Sequence, residues 1–218
     1  MQQQNVGSGN FRACRTLVHD DAFEAILTIH MVTPLLKDGD LASLRREEYL
    51  YQSGLFFRRS LTRYLALILC RMLDKPNEKG ASGVTASIAS LLEMAEKDGV
   101  LNQSQVGQLT QDFEKIKANA QREYDLIKAL RNLRNIQVAH SLIPHEDDPT
   151  DQVWAHDLLN FASEIFDFVV ALEKVFAEVT KVTLPDLSQN ADTFRSKSQQ
   201  FWASLASPVR GDQPKAKG

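Results

Sequence analysis

The sequence predicts an all-α protein, an antiparallel bundle of four to five long helices with a short C-terminal helix. Apolar residues recur at alternating spacings of three and four along most of the chain. No stretch alternates apolar and polar residues for long enough to predict a strand, and neither an internal repeat nor a glycine-rich phosphate loop occurs. The loops between helical stretches are short, which is typical of antiparallel neighbours.

The composition fits one globular domain with a substantial core. Of the 218 residues, 43% are hydrophobic and 24% are charged, which argues against intrinsic disorder. The formal net charge of −3 excludes a uniformly basic surface, so binding of RNA or DNA requires a local basic patch. Two cysteines, Cys14 and Cys70, are typical of a reducing compartment, and Cys70 lies among leucines, which predicts a buried thiol.

Nothing in the sequence predicts secretion or membrane insertion. The opening stretch, MQQQNVGSGN, is polar and lacks the apolar region of a signal peptide. The longest apolar run, from Leu65 to Cys70, is far shorter than the roughly 20 residues that span a bilayer. We therefore expect a cytoplasmic protein without a membrane partner.

Two helices are predicted in the first third of the chain. The first covers residues 22–36, and Pro34 is expected to kink or end it. His30 lies on its apolar face and is expected to be a satisfied core histidine. The second helix runs from about Leu41 to Lys75, where Asp74-Lys75-Pro76-Asn77 stops it. Its predicted buried stripe consists of Leu50, Gly54, Phe57, Leu61, Tyr64 and Ile68.

A shorter helix and a longer one follow. We expect the shorter helix to begin after Ser82 as N-cap and to end at Asp98-Gly99. Its apolar side consists of Val84, Ile88, Leu91 and Ala95. The next helix is predicted to continue unbroken to about Val138. It opens with the apolar residues Val106, Leu109, Phe113 and Ile116.

The last long helix has the clearest pattern, with two adjacent apolar rows. The first row consists of Trp154, Leu158, Phe161, Ile165, Phe168, Leu172, Val175 and Val179. The second row consists of Leu159, Ala162, Phe166, Val169 and Phe176. Two such rows exceed the needs of one partner helix, so this helix is either central or faces both a core and another subunit.

These patterns divide the chain into four parts. Residues 1–15 are a flexible N-terminus, and residues 16–182 form the helical bundle. Residues 183–206 form a helical appendage, with a short helix over 188–205 around Phe194, Phe201 and Trp202. Residues 207–218 form a flexible polar tail.

The stretch ALRNLRNIQVAHS, residues 129–141, interrupts an apolar pattern with polar groups. The row through Leu130 and Leu133 turns polar at Gln137 and His140, and the neighbouring row carries Arg131 and Arg134. Burying these groups unpaired would be costly. On a straight helix Arg134 and His140 are about 120° and ~9 Å apart. They can meet only at a bent helix end or across a second copy of the chain.

These residue types suit cleavage of RNA without a metal or another cofactor. A histidine that titrates near neutral pH can act as general base and acid. An arginine can bind a phosphate and stabilise the charge that develops on it, and an asparagine can orient the imidazole. The expected reaction is attack of a 2′-hydroxyl on its own phosphodiester. The alternative is structural, with surface arginines and a satisfied histidine near a helix end.

The motif Arg134-Asn135-Ile-Gln-Val-Ala139-His140 resembles the signature of the HEPN superfamily. In that signature an arginine, often followed by asparagine, precedes a histidine by four to six residues, and five intervene here. The form RNxxxAHS resembles the branch of abortive-infection AbiU-type proteins. The segment LALILCRMLD, residues 65–74, resembles the upstream part of that branch. The resemblance covers about residues 20–180.

The resemblance implies a dimerising helical bundle with a composite site, in which arginine and histidine from both protomers line a cleft. Many members are metal-independent endoribonucleases of toxin–antitoxin or phage-defence systems, whose partner can be an antitoxin-type protein. Applied to this sequence, the resemblance implies that His140 is the catalytic acid and base, that Arg134 binds phosphate and that Asn135 orients the imidazole. Arg131 has no secure counterpart and is expected to be a second cation. The alternative is a catalytically inactive HEPN-type interaction and dimerisation module.

Two other stretches carry candidate binding residues. Arg58 and Arg59, beside two phenylalanines, are expected to bind the RNA backbone, with a solvated helix face as the alternative. The loop HEDDPTD, residues 145–151, could be combined with His140 and His156 into a metal site. Its spacing matches no zinc signature. We therefore expect no metal there, and an acidic loop ending at an Asp151 N-cap.

Overall fold

The structure of the protein is a computed structural model. It describes residues 7–36, 48–75, 86–121, 125–139 and 155–206. These residues form seven helices and no strand, which confirms the all-α prediction. The helices are α1 (Gly9–Leu36), α2 (Glu48–Leu73), α3 (Ile88–Lys97), α4 (Gln103–Asn119), α5 (Leu126–Ala139), α6 (Ala155–Thr180) and α7 (Leu187–Ala206).

Helix α1 is the centre of the bundle and packs against α2, α3, α6 and α7. Helix α2 runs antiparallel to it, because Leu35 lies in one cluster with Tyr51 and Leu55 while Asp21 pairs with Arg71. The other side of α2 carries α5, and α6 packs against α1, α2 and α4. Helix α5 is thereby held at the surface of the bundle beside the C-terminal half of α2.

Helix α1 begins at Gly9, earlier than the predicted residue 22. Residues 9–15, assigned from the sequence to a flexible N-terminus, instead form its first turns. The side chains of Phe11 and Cys14 extend the buried face that continues through Val18. Ser8 caps the helix, because its hydroxyl accepts a hydrogen bond from the Phe11 N–H at 3.3 Å. The sequence pattern missed this start because arginines and His19 interrupt the apolar row.

Pro34 lies inside α1, and the helix continues beyond it to Leu36. Proline has no N–H to donate to the carbonyl of His30 four residues earlier. The Ser198 hydroxyl on α7 donates to that carbonyl at 2.6 Å. The Trp202 indole N–H donates to the Met31 carbonyl at 3.1 Å. Helix α7 therefore supplies the donor that Pro34 lacks.

His30 itself is a buried core residue, but its hydrogen bonding differs from the prediction. Its Nε2 atom has no hydrogen-bond partner among the described residues, so the predicted core position is confirmed and the predicted pairing of this nitrogen is not found within them. Burial lowers the pKa of His30, and the nearby Arg195 lowers it further. The neutral form of the His30 imidazole is therefore more favoured than in a free histidine.

The buried stripe predicted for α2 is only partly correct. Gly54 and Ile68 are buried, whereas Phe57 and Tyr64 are 52% and 42% exposed. The α2 core consists of Leu65, Ala66, Ile68, Leu69, Cys70, Met72 and Leu73. This wide buried arc arises because α1 and α5 cover different sides of the same half of α2. Residues 41–47, expected to begin this helix, lie outside the described residues, as does the side chain of Leu50.

The short helix α3 begins after Ser87 rather than after the predicted Ser82. Ser87 is in an extended conformation, and its hydroxyl accepts a hydrogen bond from the Ser90 N–H at 3.2 Å. Ser82 and Val84 lie outside the described residues. The predicted end is correct, because Asp98 is the C-cap and Gly99 follows with a φ of 65°.

The long helix predicted to run to Val138 is two helices. Helix α4 ends at Asn119, and Asp125 begins α5 by accepting a hydrogen bond from the Lys128 N–H at 2.9 Å. An aspartate at this position favours a helix N-terminus over a helix interior. Within α4, Val106 and Phe113 are buried, as the apolar pattern predicts.

Most of the described residues in the two apolar rows of α6 are buried within one protomer. Nine of their residues are at most 7% exposed: Leu158, Phe161, Ala162, Ile165, Phe166, Phe168, Val169, Leu172 and Phe176. Val179, by contrast, is 41% exposed. The burial of these nine side chains places them in the core of the protomer, and contact of α6 with another subunit stays a prediction. Trp154 and Asp151 lie outside the described residues.

Candidate active site on α5

Helix α5 carries the Arg-Asn motif and is anchored to the core by its opposite face. Leu126, Ile127, Leu130 and Leu133 are each at most 2% exposed. The Cys70 thiol on α2 donates a hydrogen bond to the Leu130 carbonyl at 3.3 Å. Arg131 is exposed and Arg134 half-buried. The backbone that carries both arginines is therefore held firmly against α2.

Arg134 forms an ion pair with Asp74, the first residue after α2. Its Nη1 atom lies 2.7 Å from the Asp74 Oδ1 atom. The two side chains are 34% and 33% exposed, so the pair lies at the boundary between core and solvent. Asp74 is the last residue of the segment LALILCRMLD. The ion pair thus joins the two stretches that carried the family resemblance, 60 positions apart in sequence.

The Cys70 thiol is part of the support beneath this ion pair. Its pKa is raised to about 11, mainly by burial; Arg134 and Arg131 oppose the rise and Asp74 adds to it. The thiol is therefore protonated at neutral pH. This confirms the expected small buried side chain, and a protonated thiol is a poor nucleophile.

The structure describes only part of the predicted catalytic set. Asn135 is in the backbone of α5, but its side chain lies outside the described residues, as do all atoms of His140. Helix α5 extends to Ala139, so Arg134 is five residues from its described end. The meeting of Arg134 with His140 and the orienting role of Asn135 stay predictions.

The predicted RNA-binding residues on α2 lie far from Arg134 in the same protomer. Arg59 and Asp74 are 15 positions apart, which corresponds to about 22 Å along a helix. Arg59 is exposed and Arg58 is half-buried. Phe56 and Phe57 are 67% and 52% exposed, and their rings contact edge to face at 6.1 Å.

Neither a metal cluster nor a membrane span is present in the described part of the chain. No group of three histidine, cysteine or acidic side chains there is arranged to hold a metal ion. His156 is exposed on α6, and residues 145–151 lie outside the described ranges. None of the described helices is both long enough and apolar enough to cross a bilayer.

Sequence reasoning missed the most buried ion pair that the structure describes. The Arg15 guanidinium binds the Glu173 carboxylate with Nη2–Oε2 at 2.7 Å and Nε–Oε2 at 3.0 Å. It also donates to the Val182 carbonyl at 3.1 Å and lies over the Phe176 ring. This cluster joins α1 to the end of α6. Its only local signal, an arginine in an apolar row, does not identify a partner 158 positions away.

A family model of AbiU2, a HEPN family, matches residues 17–194. The match begins within α1 and ends within α7, and it includes Asp74, Arg134 and the position of His140. The resemblance inferred from the motifs is thereby confirmed. No curated protein and no solved structure matches the chain.

Proposed function

Because the chain belongs to the AbiU2 family of the HEPN superfamily, we propose that it is an endoribonuclease in which Arg134 binds the scissile phosphate. The observation that carries the proposal is the state of Arg134. One guanidinium nitrogen is bound by Asp74, and no other described residue accepts a hydrogen bond from this side chain. A guanidinium has five N–H donors. Several of them are therefore available for a phosphodiester, which arginine binds in a two-pronged geometry.

The proposed reaction needs one proton acceptor, one proton donor and one cation. His140 removes the proton of the 2′-hydroxyl, and the freed oxygen attacks the adjacent phosphorus. The bond from phosphorus to the 5′ oxygen breaks, giving a 2′,3′-cyclic phosphate and a 5′-hydroxyl that receives a proton from an imidazolium. Arg134 neutralises the charge that grows on the non-bridging oxygens, and Asn135 orients the imidazole. The support for His140 and Asn135 is the family motif.

The proposed site is completed by a second copy of the chain. Arg134 and His140 diverge by about 120° on a straight helix, so one protomer that keeps α5 straight does not bring them together. Pairing of two protomers along α5 would place the arginine of each near the histidine of the other. We further propose a cytoplasmic toxin or phage-defence effector, controlled by an antitoxin-type protein partner.

The alternative, a catalytically inactive interaction module, rests on the net negative charge of −3 and on the double apolar row of α6. Nine residues of these rows are buried inside one protomer, whereas Val179 is 41% exposed. The second ground for an interaction module is thereby weakened, because the buried part of the double row is used within the protomer.

Cleavage of RNA in the presence of EDTA tests the proposed function. We expect the wild-type protein to cleave single-stranded RNA and to leave 2′,3′-cyclic phosphate ends, because imidazole and guanidinium groups supply the required chemistry. The His140→Ala variant should lose at least about 10²-fold in rate. The measurement is gel separation of end-labelled products from several unrelated RNAs. Equal cleavage by both proteins, or none by either, would contradict the enzymatic proposal.

The structure also separates the two arginines proposed for RNA binding. Arg59 is exposed near the exposed Phe56, whereas Arg58 is half-buried and points about 100° away around the helix. We expect Arg59→Ala to weaken binding of a fluorescent single-stranded RNA several-fold. The slope of log affinity against log salt concentration should become shallower by about one. Arg58→Ala should have the smaller effect.

The control for this comparison is Arg12→Ala, which removes the same charge from an exposed position of α1. It corrects for the change in net charge alone. The assignment to α2 would be refuted if Arg12→Ala and Arg59→Ala had equal effects on RNA affinity and on its salt dependence.

A further inference from the structure

Asp74 occupies a position that is unfavourable for its charge. It directly follows the 26-residue helix α2, and its N–H donates to the Arg71 carbonyl of the last turn at 3.2 Å. The C-terminal end of a helix carries partial negative charge and unpaired carbonyl groups, and lysine or arginine is favoured there. Helix formation therefore does not account for an aspartate at this position.

The partner of Asp74 does account for it. Arg134 lies on α5, and its Nη1 atom is 2.7 Å from the carboxylate. The base of Arg134 is fixed because Leu130 and Leu133 are buried against α2 and the Leu130 carbonyl accepts from Cys70. The carboxylate fixes the tip of the same side chain. Both ends of a long side chain with several rotatable bonds are thereby restrained.

The contact leaves most of the guanidinium available. Asp74 engages Nη1, and among the described residues no acceptor binds Nη2 or Nε. Each of the two side chains is about one-third exposed, at 34% for Arg134 and 33% for Asp74, so the pair is accessible to a polyanion. An arginine that is held in one orientation before its ligand arrives loses less conformational freedom on binding.

We propose that Asp74 is the positioning residue of the site, holding Arg134 so that its remaining donors meet the scissile phosphodiester. The inference rests on the proposed function of Arg134 and adds a residue outside the Arg-Asn-His motif. It is distinguishable from a general electrostatic effect. An aspartate that acted only through its charge would repel the phosphate, so its removal would tighten RNA binding.

The test compares Asp74→Ala with Asp21→Ala. Asp21 forms the second ion pair at this end of α2, with Arg71, so the control removes an equal charge from the same region. We expect Asp74→Ala to lower the single-turnover cleavage rate roughly ten- to a hundredfold, and Asp21→Ala to change it less than twofold. The melting temperature of each variant is measured in parallel. Equal rates for the two variants would overturn the proposal.

A charge reversal separates positioning from a merely structural ion pair. The double variant Asp74→Arg, Arg134→Asp restores an ion pair between α2 and α5 but moves the cation. We expect it to recover the melting temperature and not the cleavage rate. Recovery of both would show that the pair serves only to join the helices, and would overturn the positioning role.

A measurement of RNA affinity tests the inference even if the wild-type protein cleaves no RNA. A 2′-O-methyl single-stranded RNA, which lacks the attacking hydroxyl, is titrated against the wild type, Asp74→Ala and Asp21→Ala. Weaker binding by Asp74→Ala than by both other proteins supports a positioned Arg134 even in a protein without nuclease activity. Equal or tighter binding by Asp74→Ala would overturn it, whereas absence of cleavage alone would refute only the proposed function.

Discussion

Replacement of Arg134 by alanine is expected to lower the rate of RNA cleavage about 10²- to 10³-fold, because a preorganised donor to the developing phosphate charge is lost. Arg134→Lys should give an intermediate rate, since it keeps the charge but loses the planar fork. The measurement is single-turnover cleavage at saturating protein. The matched control is Lys128→Ala, which removes one positive charge from an exposed position on the same helix.

A structural explanation for such a loss can be tested separately. The Arg134–Asp74 pair is about one-third exposed, and partly exposed ion pairs contribute only about 0–1 kcal/mol to stability. Arg134→Ala should therefore remain folded, with a small change in melting temperature. In growing bacteria, expression of the wild type should slow growth and Arg134→Ala should relieve the effect. Indistinguishable cleavage by Arg134→Ala and Lys128→Ala would refute the role of this arginine.

Glu173→Ala is expected to destabilise the fold by about 3–5 kcal/mol, the largest effect on stability that we predict, because it leaves a buried guanidinium without its counter-charge. The Arg15 and Glu173 side chains are only 5% and 13% exposed. Once Glu173 is removed, Arg15 keeps the Val182 carbonyl and the Thr180 hydroxyl as acceptors. Neither is charged. Urea unfolding followed by circular dichroism measures the change, with Glu178→Ala at an exposed position of α6 as control.

A double variant shows whether the cost comes from the unpaired charge or from lost packing. Arg15→Met combined with Glu173→Leu removes both charges and keeps apolar volume. Replacing a whole buried ion pair in this way is often neutral or stabilising. We expect the double variant to be more stable than Glu173→Ala alone. If Glu173→Ala were no less stable than Glu178→Ala, the buried pair would not contribute to the fold.

Local features of the sequence were sufficient to identify most helices. The apolar rows of α6 and the extent of α7 agree with their predicted patterns, because helical periodicity is a property of neighbouring residues. The start of α3 and the break before α5 were mispredicted, although their capping residues Ser87 and Asp125 are visible in the sequence. Serine occurs at both 82 and 87, and only packing selects between such candidates.

In the candidate site, too, some features were visible in the sequence and others required the packed structure. The resemblance of the Arg134 motif was visible in one helix, and the match to the AbiU2 family confirms it. The pairing of Asp74 with Arg134 was not visible, since in the sequence Asp74 marks only the end of a helix and of the segment LALILCRMLD. The difference between Arg58 and Arg59 also required the packed structure, because adjacent arginines have equal local patterns and different exposure.

Spacing along the chain was enough to assign the all-α class, the family and Arg134 as the candidate cation, because each of these depends on local patterns. The pairing of polar groups, by contrast, depends on the packed fold. Arg15 with Glu173 and Arg134 with Asp74 are partners separated by 158 and 60 positions. The physical reason is that a charge is tolerated in or near a core only beside its counter-charge, and the position of that counter-charge depends on how the helices pack.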